Sequence, residues 1–217
     1  MTNDTVFSND ERQIWGISML VIAIIGLLLY CIACFLNLAV KEFRNAFGYL
    51  CLSDGICGIA IMVQFIGYTC PVTMLMYPQP PSYLWIIAIT NFNMTYLYYV
   101  SMYAHSFASI NRFLAICKPL LYRKIDSTRF VSGLLICTWV IPFIQTSPYF
   151  FGDCSFYFDN TLLQWTFTDN PCGQNFSFYI DFLYNCILML FIFAIDCYTL
   201  FVLRKTLYRG KLNNIIR

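Results

Sequence analysis

Four residues that could do chemistry recur at seven-residue intervals within one apolar run: Asn91, Tyr98, His105 and Arg112. Seven residues are nearly two helical turns, so the four share one slowly drifting helix face. Polar side chains do not prefer lipid, so this stripe is expected to point into a bundle of helices. His105 is the only histidine of the chain, and a lone histidine builds neither a metal site nor a catalytic triad. It reads as a buried, hydrogen-bonded residue, with a proton switch as the other reading. Asp54, Asp181 and Asp196 sit in other apolar runs, where a carboxylate is costly enough to be a functional candidate. The alternative for Asp54 is a polar knot that pins helices together. Asp181 and Asn185, four apart on one helix face, are either ligand contacts or hydrogen-bond partners of the run that carries Asn91. Asp196 lies about 12 Å from Arg204 along a helix axis and could pair with Arg112. No metal-ligand cluster, glycine-rich phosphate loop or nucleophile–base pair stands out in the sequence, so no enzyme is expected.

The elements that must position these groups are long and apolar. The 217 residues are 59% hydrophobic and 11% charged, with a mean hydropathy of +0.65. A soluble domain carries about 25% charged residues. Five segments reach the roughly 20 residues needed to cross a hydrocarbon core: 14–36, 47–68, 83–116, 130–151 and 176–203. Each must be helical, because unpaired backbone groups in lipid cost several kcal/mol each. Short linkers make residues 1–217 one all-α transmembrane domain. Aromatics at 19% suit interfacial belts.

Charge sets the orientation. Lys41 and Arg44 follow the first segment; Arg112, Lys118, Arg123, Lys124 and Arg129 lie between the third and fourth. Arg204, Lys205, Arg209, Lys211 and Arg217 follow the fifth, whereas Asp153, Asp159 and Asp169 occupy the opposite side. The positive-inside rule then puts the N-terminus outside and the C-terminus in the cytosol. The first residues lack the basic start of a cleavable signal peptide. Two sequons, at Asn3 and Asn175, fall outside and are open to glycosylation. Of eleven cysteines, Cys70, Cys154 and Cys172 face the oxidising side, and three cannot all pair with one another. The basic residues line short juxtamembrane loops, which suits anionic lipid headgroups rather than nucleic acid.

Ser109 to Ile125 reads SINRFLAICKPLLYRKI, an apolar helix end running into an open basic loop. Arginine, an aliphatic pair, Ala-Ile, Pro-Leu and Tyr in this order resemble the end of the third helix of the G-protein-coupled receptors. With Asn111 and Phe113 flanking Arg112, the string is most similar to the nematode chemosensory serpentine receptors of class x (Srx). The resemblance implies a seven-helix GPCR-type bundle, of which five transmembrane helices are seen. It implies a G-protein contact at Asn111, Arg112, Phe113, Pro119 and Tyr122. It also implies an external ligand cavity lined by Asn91, Met94, Thr95 and Tyr98, with Asp181 and Asn185 facing it. Met94 stands where amine receptors of this class carry an acid, which argues against a small cationic amine. Asn37, Asp54, Ser101 and His105 form an intramembrane polar group where the resemblance implies that Asp54 could hold a sodium ion. Trp139 matches the fourth-helix tryptophan and reads as packing. The family's usual bridge from the outer end of helix three has no cysteine there. Cys154–Cys172 is preferred, and Cys70 to either stays open.

The implied function is a chemosensory receptor that binds a small molecule or peptide outside and engages a heterotrimeric G protein inside. Its place is the plasma membrane, with retention in the endoplasmic reticulum if truncated. Helices six and seven are not in the sequence. Either the product continues past Arg217, or this is a shortened member that does not signal by itself. The alternative is a non-signalling scaffold that associates with full-length receptors as an oligomer. A small transporter using Asp54, His105 and Asp196 as a relay is a third reading, weakened by the lack of paired internal repeats.

Overall fold

The computed structural model describes residues 7–75, 84–125, 128–151 and 154–215. The first helix, α1 (Asn9–Ala39), starts on a capping box: Ser8 Oγ accepts from the Glu11 amide while the Glu11 carboxylate accepts from the Ser8 amide. After a 3₁₀ turn at Lys41–Phe43 comes α2 (Ala46–Gln64). Asn45 caps it, its Oδ1 accepting from the Gly48 amide at 3.0 Å. A π-helical turn (Phe65–Thr69) then leads into α3 (Cys70–Leu75), so the second span is one helix with a bulge rather than a regular rod ending at Tyr68.

Gly48 is fixed by that tight entry. A Cβ there would lie 1.8 Å from the Phe43 carbonyl oxygen, a backbone atom that cannot rotate away. Gly48→Ala should cost about 1–3 kcal/mol through displaced backbone, read as a lowered melting temperature of the chain in lipid nanodiscs. An unchanged transition would mean that the turn yields freely.

The third span is α4 (Leu84–Cys117), followed directly by α5 (Pro119–Ile125). The basic stretch expected as open loop is therefore helical. Pro119 is favoured at a first helical position, where its missing N–H costs nothing, and the Tyr122 amide bonds back to the Lys118 carbonyl at 2.9 Å. The fourth span divides into α6 (Thr128–Thr146) and α7 (Pro148–Phe151), because Pro148 cannot continue the ladder. An antiparallel hairpin follows, β1 (Phe156–Asp159) on β2 (Gln164–Phe167), with Phe156 opposite Phe167 and Phe158 opposite Trp165. Then come α8 (Pro171–Asn175), a π-helical stretch (Phe176–Tyr184) and α9 (Asn185–Ile215). The last helix runs well past Leu203: the basic residues after it, good helix formers in sequence, extend the span instead of fraying as a tail.

Among the described helices four are long and apolar enough to cross a membrane by length and composition. The fifth, α4, is less apolar and packs against several neighbours. Tyr99, Val100 and Ala104 are almost fully buried, packed by α2, α6 and α9. Polar side chains tie these seams. Trp139 Nε1 donates to Ser53 Oγ at 3.0 Å, and the Tyr96 hydroxyl donates to the Trp139 carbonyl at 3.2 Å. Gln64 donates to the Thr90 carbonyl (2.6 Å) and accepts from Asn93 Nδ2 (3.0 Å). Trp139 is a seam residue, as its position on α6 suggested. The outer face of α1, with Ile22 and Phe35 exposed, suits lipid contact.

Candidate functional site

Two sites sit well apart on α4. Thr95 and Arg112 are about 26 Å apart along the axis at 1.5 Å per residue. The first is a cavity of about 320 Å³ beneath the hairpin, within the range of small-molecule pockets. Met94, Thr95 and Tyr98 of α4 form its floor, and Phe156, Trp165 and Phe167 of the hairpin its roof. Ile61 of α2, Phe65 of the first π-helical turn and Asp181 of the second close the walls. Both distortions thus contribute a lining residue, in keeping with the tendency of π-bulges to mark functional positions.

The expected cavity residues divide. Met94, Thr95, Tyr98 and Asp181 line it. Asn185 does not; its Nδ2 donates to the Tyr98 hydroxyl at 3.3 Å. Of the pair, Asn185 is thus a hydrogen-bond partner of α4, and Asp181 faces the cavity. Asn91 is buried beside the Thr95 hydroxyl, which donates to the Asn91 carbonyl at 3.3 Å, and it is not a lining residue. The hairpin aromatics and Phe65 were not anticipated. Their signal was the alternation of FYFD and QWTF around a polar turn, a strand pattern.

The hairpin is held from three sides. Cys154 and Cys172 form a disulfide across its base, with Cα atoms 5.3 Å apart, and Cys70 is free and buried. Arg12 of α1 reaches over it, donating from Nη1 to Asn160 Oδ1 at 2.9 Å and from Nη2 to the Asn160 carbonyl at 2.7 Å. Arg12 is 2% exposed. The start of α1 and the hairpin therefore lie at one end of the bundle, as the charge pattern required. In the turn, Asp159 Oδ1 accepts from the Thr161 amide, the Thr161 hydroxyl and the Leu162 amide. Burial by itself would raise this carboxyl, but these hydrogen bonds outweigh it and hold it below the ordinary aspartate value.

At the far end, Arg112 Nη2 donates to Asp196 Oδ2 at 3.2 Å and to Ser109 Oγ at 3.0 Å. Ser109 Oγ in turn donates to the same carboxylate oxygen at 3.2 Å. The guanidinium also lies 5.5 Å from the centroid of the Phe47 ring. Asp196 thus takes the part of the acid that Asn111 does not supply. Asn111 is 4% exposed, buried away from the arginine head. Phe113 packs on Tyr198 with centroids 6.0 Å apart, and Pro119 and Tyr122 lie on α5.

Between the two ends, Asp54 accepts from Ser101 Oγ, and its other oxygen is 3.4 Å from His105 Nε2. Asn37, half-buried on α1, is not among its hydrogen-bond partners. The expectation of a buried His105 and an inward stripe is corrected here. The His105 and Arg112 side chains are 61% and 45% exposed, and Tyr98 is 42% exposed. Only Asn91 of the four is buried; Tyr98, His105 and Arg112 each meet one polar partner on a neighbouring helix, Asn185, Asp54 and Asp196, and the described helices leave the rest of these side chains uncovered.

A bundle wound on one long central helix, with a cavity beside its outer part and an arginine–carboxylate contact near its other end, fits part of a G-protein-coupled receptor bundle. Squid rhodopsin has the same fold, with a TM-score of 0.74 at 14% identity, covering 94% of this chain and 57% of that one. The vertebrate ancient opsin of Salmo salar is 29% identical over 116 residues, 52% of this chain and 35% of the opsin. This chain therefore spans about a third of the opsin and little more than half of the rhodopsin. Residues 20–214 match the family model of the serpentine type 7TM GPCR chemoreceptor Srx. The chain belongs to that family, and it is an integral, multi-pass membrane protein.

Proposed function

We propose that this chain is the ligand-binding and arginine-bearing part of a chemosensory receptor that signals through a heterotrimeric G protein. The observation that carries the reading is the linkage of cavity and arginine through α4. A ligand that favours one arrangement of the cavity biases the Arg112–Asp196 contact at the far end. In this reading the hairpin end is extracellular and α5 is cytosolic. Asn111, Phe113, Pro119 and Tyr122 then flank Arg112 on the side that meets the G protein, with the protein in the plasma membrane. Asn175, exposed at the end of α8, would be open to glycosylation; Asn3 lies outside the described residues. A sodium ion at Asp54 would find two oxygen donors in Asp54 and Ser101. His105, 3.4 Å from the remaining carboxylate oxygen, is a competing counter-charge when protonated.

One observation favours a second reading. The exposed face of α4 carrying Tyr98, His105 and Arg112 invites cover by further helices, whether of the same product or of a full-length receptor to which the chain attaches as a scaffold. Reading the transcript past the Arg217 codon separates the two. Two in-frame apolar segments and ligand-dependent nucleotide exchange by the longer product are expected. A genuine stop, with co-purification on a full-length receptor, would replace the receptor reading by the scaffold.

A further inference from the structure

Resting on the receptor reading of the cavity, we propose that its ligands are ammonium compounds. They carry an apolar body and one protonated or quaternary nitrogen, and Asp181 supplies the counter-charge. Five aromatic rings converge on this space from three elements: Phe65, Tyr98, Phe156, Trp165 and Phe167. Ring faces carry negative potential and attract a desolvated cation, the physics of aromatic cages for quaternary ammonium groups. Asp181 is the single charged residue of the lining. Among the described residues the ion pairs are His105–Asp54 and Arg112–Asp196, and neither involves Asp181. The arginine nearest the hairpin, Arg12, is committed to Asn160.

A carboxylate at membrane depth with no protein cation is held at a cost, and a ligand cation removes that cost. A neutral apolar ligand would strip water from Asp181 and leave it with no counter-charge, and an anion would be repelled. The hydroxyl that meets the Asp181 carboxylate is that of Tyr99 on α4, a neutral donor that orients it without cancelling its charge. The absence of an acid at Met94, read along α4 alone, argued against amines. Across the cavity from Met94, the π-helical stretch before α9 provides one.

The test uses the 217-residue chain in nanodiscs and calorimetric titration near neutral pH with phenethylamine, phenethyl alcohol and phenyltrimethylammonium. The amine should bind about tenfold more tightly than the alcohol. Asp181→Asn should bring the amine to the level of the alcohol and leave the alcohol unchanged. Trp165→Leu, which tests the cage without touching the carboxylate, should weaken phenyltrimethylammonium about fivefold more than the alcohol. Equal binding of amine and alcohol by the unaltered chain would overturn the ammonium assignment, as would no amine binding at millimolar concentration. Either result leaves the coupling role of the opposite end to be judged by nucleotide exchange, so the two readings fail separately.

Discussion

Arg112→Ala eliminates nucleotide exchange in a coupling-competent form of the receptor while surface delivery stays near that of the unaltered protein. The reason lies in the asymmetry between what the side chain contributes to folding and what it offers a partner. Its ion pair with Asp196 is half exposed, 45% on the arginine side and 33% on the aspartate side. Pairs of that kind contribute about 0.2–1 kcal/mol, too little for its loss to unfold a bundle held by α2, α4 and α6. The guanidinium itself is a planar fork of five donors that a lysine does not reproduce. Arg112→Lys should therefore lose most of the output as well. Asp196→Asn goes the other way. Releasing up to about 1 kcal/mol of restraint should raise ligand-independent exchange by roughly fivefold. Purified receptor and G protein with labelled guanine nucleotide read both changes. If Arg112→Ala couples normally, the arginine is only an anchor at the membrane surface.

Much of this site was legible because its parts obey single-helix geometry. The rise per residue was enough to place Asp196 near the level of Arg112, and the contact at 3.2 Å follows. The spans were legible from apolar length, with ends that moved by a few residues or, in α9, by a full dozen where basic helix formers continued the ladder. Ser101 was matched to Asp54 by depth, and the two are bonded. What escaped depends on more than one element. The π-helical stretches at Phe65–Thr69 and Phe176–Tyr184 shift register to suit neighbours, which no periodicity in their own residues announces. The roof of the cavity escaped because two four-residue strands are too short to stand out inside so apolar a chain. His105 was judged by its type and depth, but its burial depended on helices that the described bundle does not place against it.

Opening the disulfide should loosen the other end of the bundle strongly. Cys154→Ser, or Cys172→Ser, frees a loop whose ends are 18 residues apart, and the chain-entropy relation assigns such a closure about 3 kcal/mol. The hairpin has little else to replace it: two short strands are marginal on their own, and they stay in place through the bridge, Arg12 and the packing of β1 on α4. Hydrogen exchange of the amides in 156–167 should accelerate on the order of 100-fold without the bridge, with the α4 amides unchanged. Arg12→Ala should produce the same pattern at comparable scale, because two hydrogen bonds from a buried guanidinium to Asn160 are lost, about 1.5–3 kcal/mol each. Acid adds a third, independent lever. Asp159 has its folded value depressed, so its contribution is full above the unfolded aspartate value of about 3.9 and is lost as pH falls through the lower folded one. Protection of the Thr161 and Leu162 amides, taken relative to their intrinsic exchange at each pH, should therefore fall only on the acid side, and Asp159→Asn should remove that acid-side loss of protection. Rapid exchange across the hairpin in the unaltered chain, insensitive to Arg12 and to the bridge, would mean that the cavity has no lid and that its aromatic roof does not select what enters.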